Sequence, residues 1–351
     1  MGGIELFAIV GFVLAAYSTV ANDAIQTLGT FLSSNSKRSW QVLWLFAASI
    51  VVLVMLKGYF WGSGDIAFGR LNKLPYPAEG IQWWHALPPL VLLLLTRFGI
   101  PVSTTFLVLT IFAMTGGAET EGVLGKMLIK SATGYAVAFG TGAVIYVLIA
   151  RAWEKWIADT KDKPIGPYWT VFQWSSTAFL WWQWLEQDLA NIFVFLPRET
   201  VERVITDPTN GETSTSVMVT FDPISLILGT VTLVVLLGII FYIRGGSIQK
   251  IVLSKTNTTD VRAATIVDLT YGIILFYFKE LNDVPMSTTW VFLGLIAGRE
   301  LAITFVANLR SKQEAFRDVG MDTARALFGL LVSVGMAFSI PFIATGEMPT
   351  F

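Results

Sequence analysis

Apolar segments separated by short polar stretches follow one another along the whole chain. Ten of them are long enough, or nearly long enough, to cross a bilayer, which takes about 20 residues of helix. They cover residues 4–33, 40–56, 82–98, 101–117, 122–150, 169–197, 223–243, 263–283, 285–309 and 321–344. Segment 101–117 is short, so it is either a re-entrant piece or a broken helix. The pattern predicts an all-α polytopic membrane protein with about ten transmembrane segments.

The spacing of the segments predicts two halves of opposite topology. Five segments lie in residues 1–150 and five in residues 169–351, with a polar linker at 151–168 between them. Similar halves that each cross the membrane an odd number of times form an inverted repeat. Basic residues are more frequent in the loops on the side of this linker. We therefore expect a cytoplasmic linker, external termini and a place in the plasma (inner) membrane.

The composition agrees with this class. Hydrophobic residues make up 54% of the 351-residue chain and charged residues only 14%, against roughly 25% charged residues in soluble domains. The chain has no cysteine, which excludes a disulfide framework, a thiolate metal site and cysteine catalysis. We expect the lipid bilayer as a partner, and we expect neither a cofactor nor nucleic acid.

An acid–amide motif interrupts one apolar segment in each half. Its polar residues are Asn22, Asp23 and Gln26 in the first half and Gln187, Asp188 and Asn191 in the second. An aspartate at the centre of a bilayer costs about 2.5–3.5 kcal/mol, so it usually faces water, a partner or an ion. Residues three or four apart share a helix face, so the oxygens of each motif point in one direction. The duplication predicts a cation site, and the alternative is a polar patch that holds helices together.

A second motif, Pro-x-Ser-Thr-Thr, occurs at residues 101–105 and 285–289. Proline suits the first turn of a helix, and the free N–H groups of a helix start attract anions. Two such starts from broken helices at the midplane predict an oxyanion site made by Ser103, Thr104, Thr105, Ser287, Thr288 and Thr289. The alternative is a proline-kinked helix whose hydroxyls bond to its own backbone. Duplicated polar interruptions in matching places are typical of a transporter's binding site.

Two further acids lie just before the second Ser-Thr-Thr. Glu280 and Asp283 have no acidic counterpart in the first half. They either supply an additional cation or proton site or form a hydrated segment end.

These motifs resemble those of the inorganic phosphate transporter (PiT) family, which includes sulfate permeases. The family repeats G-A-N-D-V-A-N-A-x-G-T and, later in each half, P-V-S-T-T-H. Here residues 20–30 read VANDAIQTLGT, residues 185–191 read LEQDLAN, and the later motifs read PVSTT and PMSTT. The resemblance extends over both halves. The chain departs from the family where Phe106 and Trp290 replace the histidines, and where Glu186 replaces a small residue.

The resemblance implies a secondary active transporter of an inorganic oxyanion, with phosphate favoured, in symport with sodium. It implies that the Ser-Thr-Thr residues, Gln26 and Asn191 bind the substrate. Asn22, Asp23, Gln187 and Asp188 would hold sodium, or the carboxyl groups would carry protons. A homodimer is expected only because it is common in transporters of this kind. The alternative function is a proton-coupled permease for sulfate or another oxyanion.

Two other functions compete with transport driven by an ion gradient. An anion channel would use the same site, and gradient-driven accumulation would separate it from a transporter. An intramembrane aspartyl protease is a distant alternative, because residues 62–65 read GSGD. That chemistry needs a second aspartate at membrane depth, and no Tyr-Asp lies in a preceding segment, so we expect the protein not to be an enzyme.

Overall fold

The computed structural model describes residues 5–98, 102–160, 162–206, 213–245, 249, 259–307 and 311–346. The first half contains α1 (Leu6–Thr19), α2 (Ile25–Ser34), α3 (Trp40–Trp61), α4 (Leu87–Arg97), α5 (Thr104–Thr115) and α6 (Val123–Asp159). The second half contains α7 (Pro167–Asp188), α8 (Ala190–Phe193), β1 (Glu199–Thr206), β2 (Thr213–Thr220), α9 (Pro223–Tyr242), α10 (Val261–Leu281), α11 (Thr288–Ala307) and α12 (Lys312–Thr345).

Seven helical segments in the described ranges are long and apolar enough to cross a bilayer. They are Leu6–Ser34, Trp40–Trp61, Val123–Ile149, Pro223–Tyr242, Val261–Leu281, Thr288–Val306 and Lys312–Thr345. A helix satisfies the hydrogen bonds of its own backbone, and lipid offers no partners for them. The protein is therefore an all-α polytopic membrane protein, as predicted.

Three of the ten predicted segments, 82–98, 101–117 and 169–197, are not among these seven. Helices α4 and α5 have 11 and 12 residues, which is about 17–18 Å of helix against a hydrocarbon core of about 30 Å. His85, just before α4, lies with its ring centroid 4.9 Å from that of Phe112, near the end of α5. The start of α4 and the end of α5 therefore lie together, so the two short helices pack as an antiparallel pair.

The region between the halves also differs from the prediction. Helix α6 continues to Asp159 and α7 begins at Pro167, so residues 151–159 of the predicted linker extend a helix. Beyond α8, β1 and β2 pair antiparallel between the predicted segments 169–197 and 223–243. The Phe221 N–H donates to the Gly64 carbonyl at 3.0 Å, which ties this hairpin to the loop after α3. We call this end of the bundle the β-hairpin end, and the opposite end, with the α6–α7 connection, the linker end.

The helix packing follows the order of the two halves. Helix α1 packs on α4 as α7 packs on α10, and α5 packs on α12 as α11 packs on α6. Helices α3 and α9, which hold the same place in the two halves, pack on each other. This pattern is the one that a pseudo-twofold repeat produces.

Both acid–amide motifs lie where a helix is interrupted. Between α1 and α2 the chain forms a π-helical turn over Val20–Ala24, and α7 ends at Asp188. Such π turns inside α-helices are frequent at functional sites. Both motifs therefore lie where the regular ladder of backbone hydrogen bonds is disturbed, as broken helices require.

Candidate functional site

Each Ser-Thr-Thr motif opens a helix, with its serine as the N-cap. The Ser103 hydroxyl accepts from the Phe106 N–H at 3.2 Å, and the Ser287 hydroxyl accepts from the Trp290 N–H at 3.2 Å. The helices therefore begin at Thr104 and Thr288, after the proline of each motif rather than at it. Serine is a preferred N-cap because its oxygen satisfies one of the free N–H groups of the first turn. Pro101 lies outside the described residues.

The two halves exchange contacts at the aspartates. The Thr289 hydroxyl of the second half donates to the Asp23 carboxylate of the first at 3.2 Å. The Thr105 hydroxyl of the first half lies 3.3 Å from the Asp188 carboxylate of the second. The same two hydroxyls approach the backbone carbonyls of Val102, at 3.5 Å, and Met286, at 3.1 Å. The predicted cation and oxyanion residues therefore form one cluster across the interface of the halves.

The amide of the first motif orients its aspartate. The Asn22 amide donates to the Asp23 carboxylate at 2.9 Å and to the Val102 carbonyl at 2.7 Å. The Gln26 amide donates to both Asn22 and Asp23, at 3.3 Å in each case.

The second motif repeats this arrangement with one difference. The Asn191 amide donates to the Asp188 carboxylate at 2.8 Å and to the Thr105 hydroxyl at 3.3 Å. Gln187 instead donates to the Leu275 carbonyl at 3.4 Å. Three of the four amides therefore fix the positions of the carboxylates.

Several oxygens of this central cluster have no hydrogen-bond partner. The acceptors without one are Asp23 Oδ2, Gln26 Oε1, Gln187 Oε1, Asp188 Oδ2 and Asn191 Oδ1. The side chains of Thr104 and Thr288 are also buried, Thr104 beside Asp23 and Thr288 beside Asp188. Neither aspartate forms a salt bridge with a described lysine or arginine. Buried acceptors normally have hydrogen-bond partners. These free oxygens therefore fit a hard cation, whose preferred ligands are carboxylate and carbonyl oxygens.

The cluster is closed to solvent. The side chains of Asn22, Thr104, Asp188, Asn191 and Ser287 are fully buried. A cavity of about 770 Å³ lies elsewhere, at the β-hairpin end, and its lining includes none of the predicted site residues. These side chains are therefore out of contact with solvent in this structure.

The histidines of the family motif are replaced by a pair of touching aromatic rings. The ring centroids of Phe106 and Trp290 are 5.4 Å apart, edge to face. The two replacement side chains therefore pack against each other across the interface of the halves.

Glu280 and Asp283 do not join the central cluster. Both are exposed, and Glu280 lies 3.2 Å from the ammonium of Lys279. Asp283 packs on Gly69 and lies within electrostatic range of Arg70. The structure thus places these acids among basic residues at the β-hairpin end.

Asp65 of the GSGD sequence stabilises a loop. Its carboxylate accepts from the backbone N–H groups of Ala67, at 2.9 Å, and Gly69, at 2.5 Å. Burial raises the pKa of Asp65 to about 6, against the opposing effect of those hydrogen bonds. Asp65 lies between α3 and α4, not within a membrane-spanning helix, so the arrangement of an intramembrane aspartyl protease is absent from these described residues.

One buried acid was missed in the sequence. Asp268, in the middle of α10, is fully buried. Its two carboxylate oxygens accept from the hydroxyls of Thr30 and Thr177, at 2.5 Å each. An aspartate within the predicted segment 263–283 satisfies the same rule that identified Asp23, so the signal was present in the sequence.

Comparisons with known proteins agree with this geometry at the level of the fold. No known protein-family profile matches the chain, and no curated protein sequence matches it. A solved structure described as "The sodium-dependent phosphate transporter" matches with a TM-score of 0.55 and 13% sequence identity, over 97% of this chain and 98% of that one. The chain therefore shares the fold of that protein over nearly its whole length.

Proposed function

We propose that the protein is a secondary active transporter that moves an inorganic oxyanion, phosphate first, in symport with sodium, as a divergent member of the phosphate transporter family. One observation carries the proposal most. The acid of each half meets the Ser-Thr-Thr helix start of the other half in a closed, membrane-embedded cluster. The similarity of fold to a sodium-dependent phosphate transporter supports it.

The charges in the cluster favour a cation together with the anion. Two buried aspartates at membrane depth would repel an oxyanion, and burying their charges without a compensating cation is costly. Sodium ions at the free oxygens of Asp23 and Asp188 would neutralise the aspartates and attract the anion. The substrate would lie against the starts of α5 and α11, where helix N-termini favour negative charge.

The two halves supply the movement. We propose that residues 1–150 and 169–351 form inverted repeats, and the matching helix pairs support this. We further propose that the linker end is cytoplasmic, that both termini are external and that the protein lies in the plasma membrane. Alternating access then comes from one group of helices moving against the other.

Equilibrium binding of labelled phosphate to the purified protein tests the assignment of residues. We expect binding in sodium and little in an equal concentration of choline. Asp23→Asn and Asp188→Asn should each weaken sodium-dependent binding by about tenfold or more, which corresponds to about 1.4 kcal/mol. Asp159→Asn, at the exposed end of α6, is the matched control and should bind as the unmodified chain does.

Two results would redirect the proposal. Binding that depends on acidic pH instead of sodium would favour proton coupling through the same carboxyl groups. Displacement of phosphate by a small excess of sulfate would favour a sulfate permease. Unchanged sodium dependence in both aspartate variants would contradict the proposed cation site.

A further inference from the structure

A group of hydrogen-bond donors surrounds Glu186, the residue before Gln187 and Asp188 of the central cluster. Its carboxylate accepts from the Lys57 ammonium at 2.5 Å, the Lys279 ammonium at 2.6 Å and the Trp182 indole N–H at 2.7 Å. The Glu186 side chain is only 1% exposed. Three donors from α3, α7 and α10 therefore converge on one buried carboxylate.

The donors of this group are open to solvent although the acceptor is not. The Lys57 side chain is 45% exposed and that of Lys279 is 16% exposed. Lys279 lies in the last turn of α10 and Lys57 lies four residues before the end of α3, both towards the β-hairpin end. Glu186 immediately precedes Gln187 and Asp188 of the central cluster. The group therefore lies at the end of α7 that also carries Asp188, with Lys57 exposed at the surface of the bundle.

The donor set is one that recognises oxyanions in general. Two ammonium groups and an indole N–H make charge-assisted hydrogen bonds to carboxylate, phosphate or sulfate oxygens. The Glu186 carboxylate thus takes the position that a free anion would occupy, although it is covalently part of the chain.

The positions that the repeat relates to Glu186 and Lys279 carry no charge. Ala21 stands at the position of Glu186 in the first motif. Leu95 lies two residues before the end of α4, as Lys279 lies two residues before the end of α10. Packing of the repeat therefore does not require these charges, and they are specific to one side of the pathway.

We propose that Lys57, Lys279 and Trp182 form a docking site for the incoming inorganic oxyanion, and that Glu186 occupies this site as an internal competitor while the central cluster is closed. The inference rests on the proposed transport of an oxyanion and adds the residues that receive it first. Arg70 provides a positive charge to which the Glu186 carboxylate can move when an anion displaces it from the two lysines. It lies within electrostatic range of Glu186 and its Nε has no hydrogen-bond partner.

Binding of labelled phosphate, and separately of labelled sulfate, tests the docking site alone. The titrations use protein in choline buffer that carries Thr105→Val and Thr289→Val, so that the central cluster does not contribute. Adding Glu186→Gln removes the tethered charge and should tighten binding of at least one anion by about tenfold, because the competitor is neutral. Adding Lys57→Met to that variant should abolish the gain, whereas Lys126→Met, an exposed lysine near the start of α6, should not.

No gain for either anion in a monodisperse Glu186→Gln protein would overturn the proposal, as would a gain that survives Lys57→Met.

If Glu186→Gln does not fold, steady-state uptake by the otherwise unmodified chain decides. Lys57→Met should raise KM for the oxyanion several-fold with kcat unchanged, and Lys126→Met should change neither. A fall in kcat alone would contradict docking. Failure of sodium-dependent binding at the central cluster is a separate result, because these titrations contain no sodium.

Discussion

At the scale of single residues, the last threonine of each Ser-Thr-Thr motif connects the halves. Thr105 and Thr289 each lie between the carboxylate of the other half and a backbone carbonyl. Hydrogen bonds to charged groups contribute about 1.5–3 kcal/mol. Each hydroxyl therefore holds an aspartate in position, while the other carboxylate oxygen has no hydrogen-bond partner.

Thr105→Val and Thr289→Val test this role. Each variant keeps the shape of the side chain and removes the hydroxyl. The sodium concentration that gives half-maximal phosphate binding should therefore rise roughly tenfold. Thr105→Ser and Thr289→Ser keep the hydroxyl and should stay close to the unmodified protein. Sodium titrations of phosphate binding provide the measurement. Equal sodium affinity in the valine and serine variants would show that the hydroxyls do not position the carboxylates.

At the scale of helices, glycines let α6 and α11 approach closely. A Cβ added at Gly142 of α6 would lie 2.5 Å from the Leu295 carbonyl oxygen of α11, whereas one added at Gly140 would meet nothing within 4 Å. Small residues at helix contacts are the usual means of close packing in membranes. The contact matters for the site because α11 begins with the second Ser-Thr-Thr motif.

Gly142→Ala should destabilise the protein by about 1–3 kcal/mol, since the added methyl group overpacks the contact. Gly140→Ala, on the same helix, should be neutral or slightly stabilising, because alanine favours a helix. Thermal unfolding in detergent compares the two variants directly. Equal midpoints for the two would contradict the close contact between α6 and α11.

The start of α10 gives a prediction about pH. Asp260 is the N-cap and accepts from Arg262 at 2.7 Å. Burial raises the pKa of Asp260, but the hydrogen bonds and charge of Arg262 outweigh it and hold the pKa below its usual value. A depressed carboxyl pKa stabilises the folded state above the unfolded pKa of about 3.9, and this contribution is lost as the pH falls through the folded pKa.

Asp260→Asn keeps a good N-cap but removes the charge. The variant should be less stable than the unmodified protein near neutral pH, and the difference should shrink on acidification below about pH 4. Unfolding measured in detergent across this range gives the comparison. A difference that is independent of pH would show that the charge of Asp260 contributes nothing.

At the scale of the whole molecule, duplication made the central cluster predictable from sequence. The paired motifs around Asp23 and Asp188 and the two Ser-Thr-Thr motifs indicated residues that the structure brings together. The crossing of contacts between halves was not predictable, because periodicity places residues on a helix face without identifying the helix opposite. The capping serines were recognisable in principle, since serine is a common N-cap.

The remaining differences have physical causes of the same kind. Hydropathy does not distinguish a crossing helix from one of two short helices that pack as an antiparallel pair, and only the meeting of His85 with Phe112 shows that the start of α4 and the end of α5 lie together. The group around Glu186 joins Lys57 and Lys279 from distant helices, and their separation in sequence gave no signal. Asp268 was missed because it lacks a duplicated partner, although an acid at membrane depth is itself informative.

Uptake of labelled phosphate into proteoliposomes tests the central claim most directly. The account predicts that an inward sodium gradient drives accumulation above equilibrium, and that excess unlabelled sulfate leaves this accumulation largely unchanged. It also predicts that accumulation collapses when choline replaces sodium or when Asp23 is changed to asparagine. Phosphate entry that only equilibrates, with or without sodium, would indicate a channel and contradict symport.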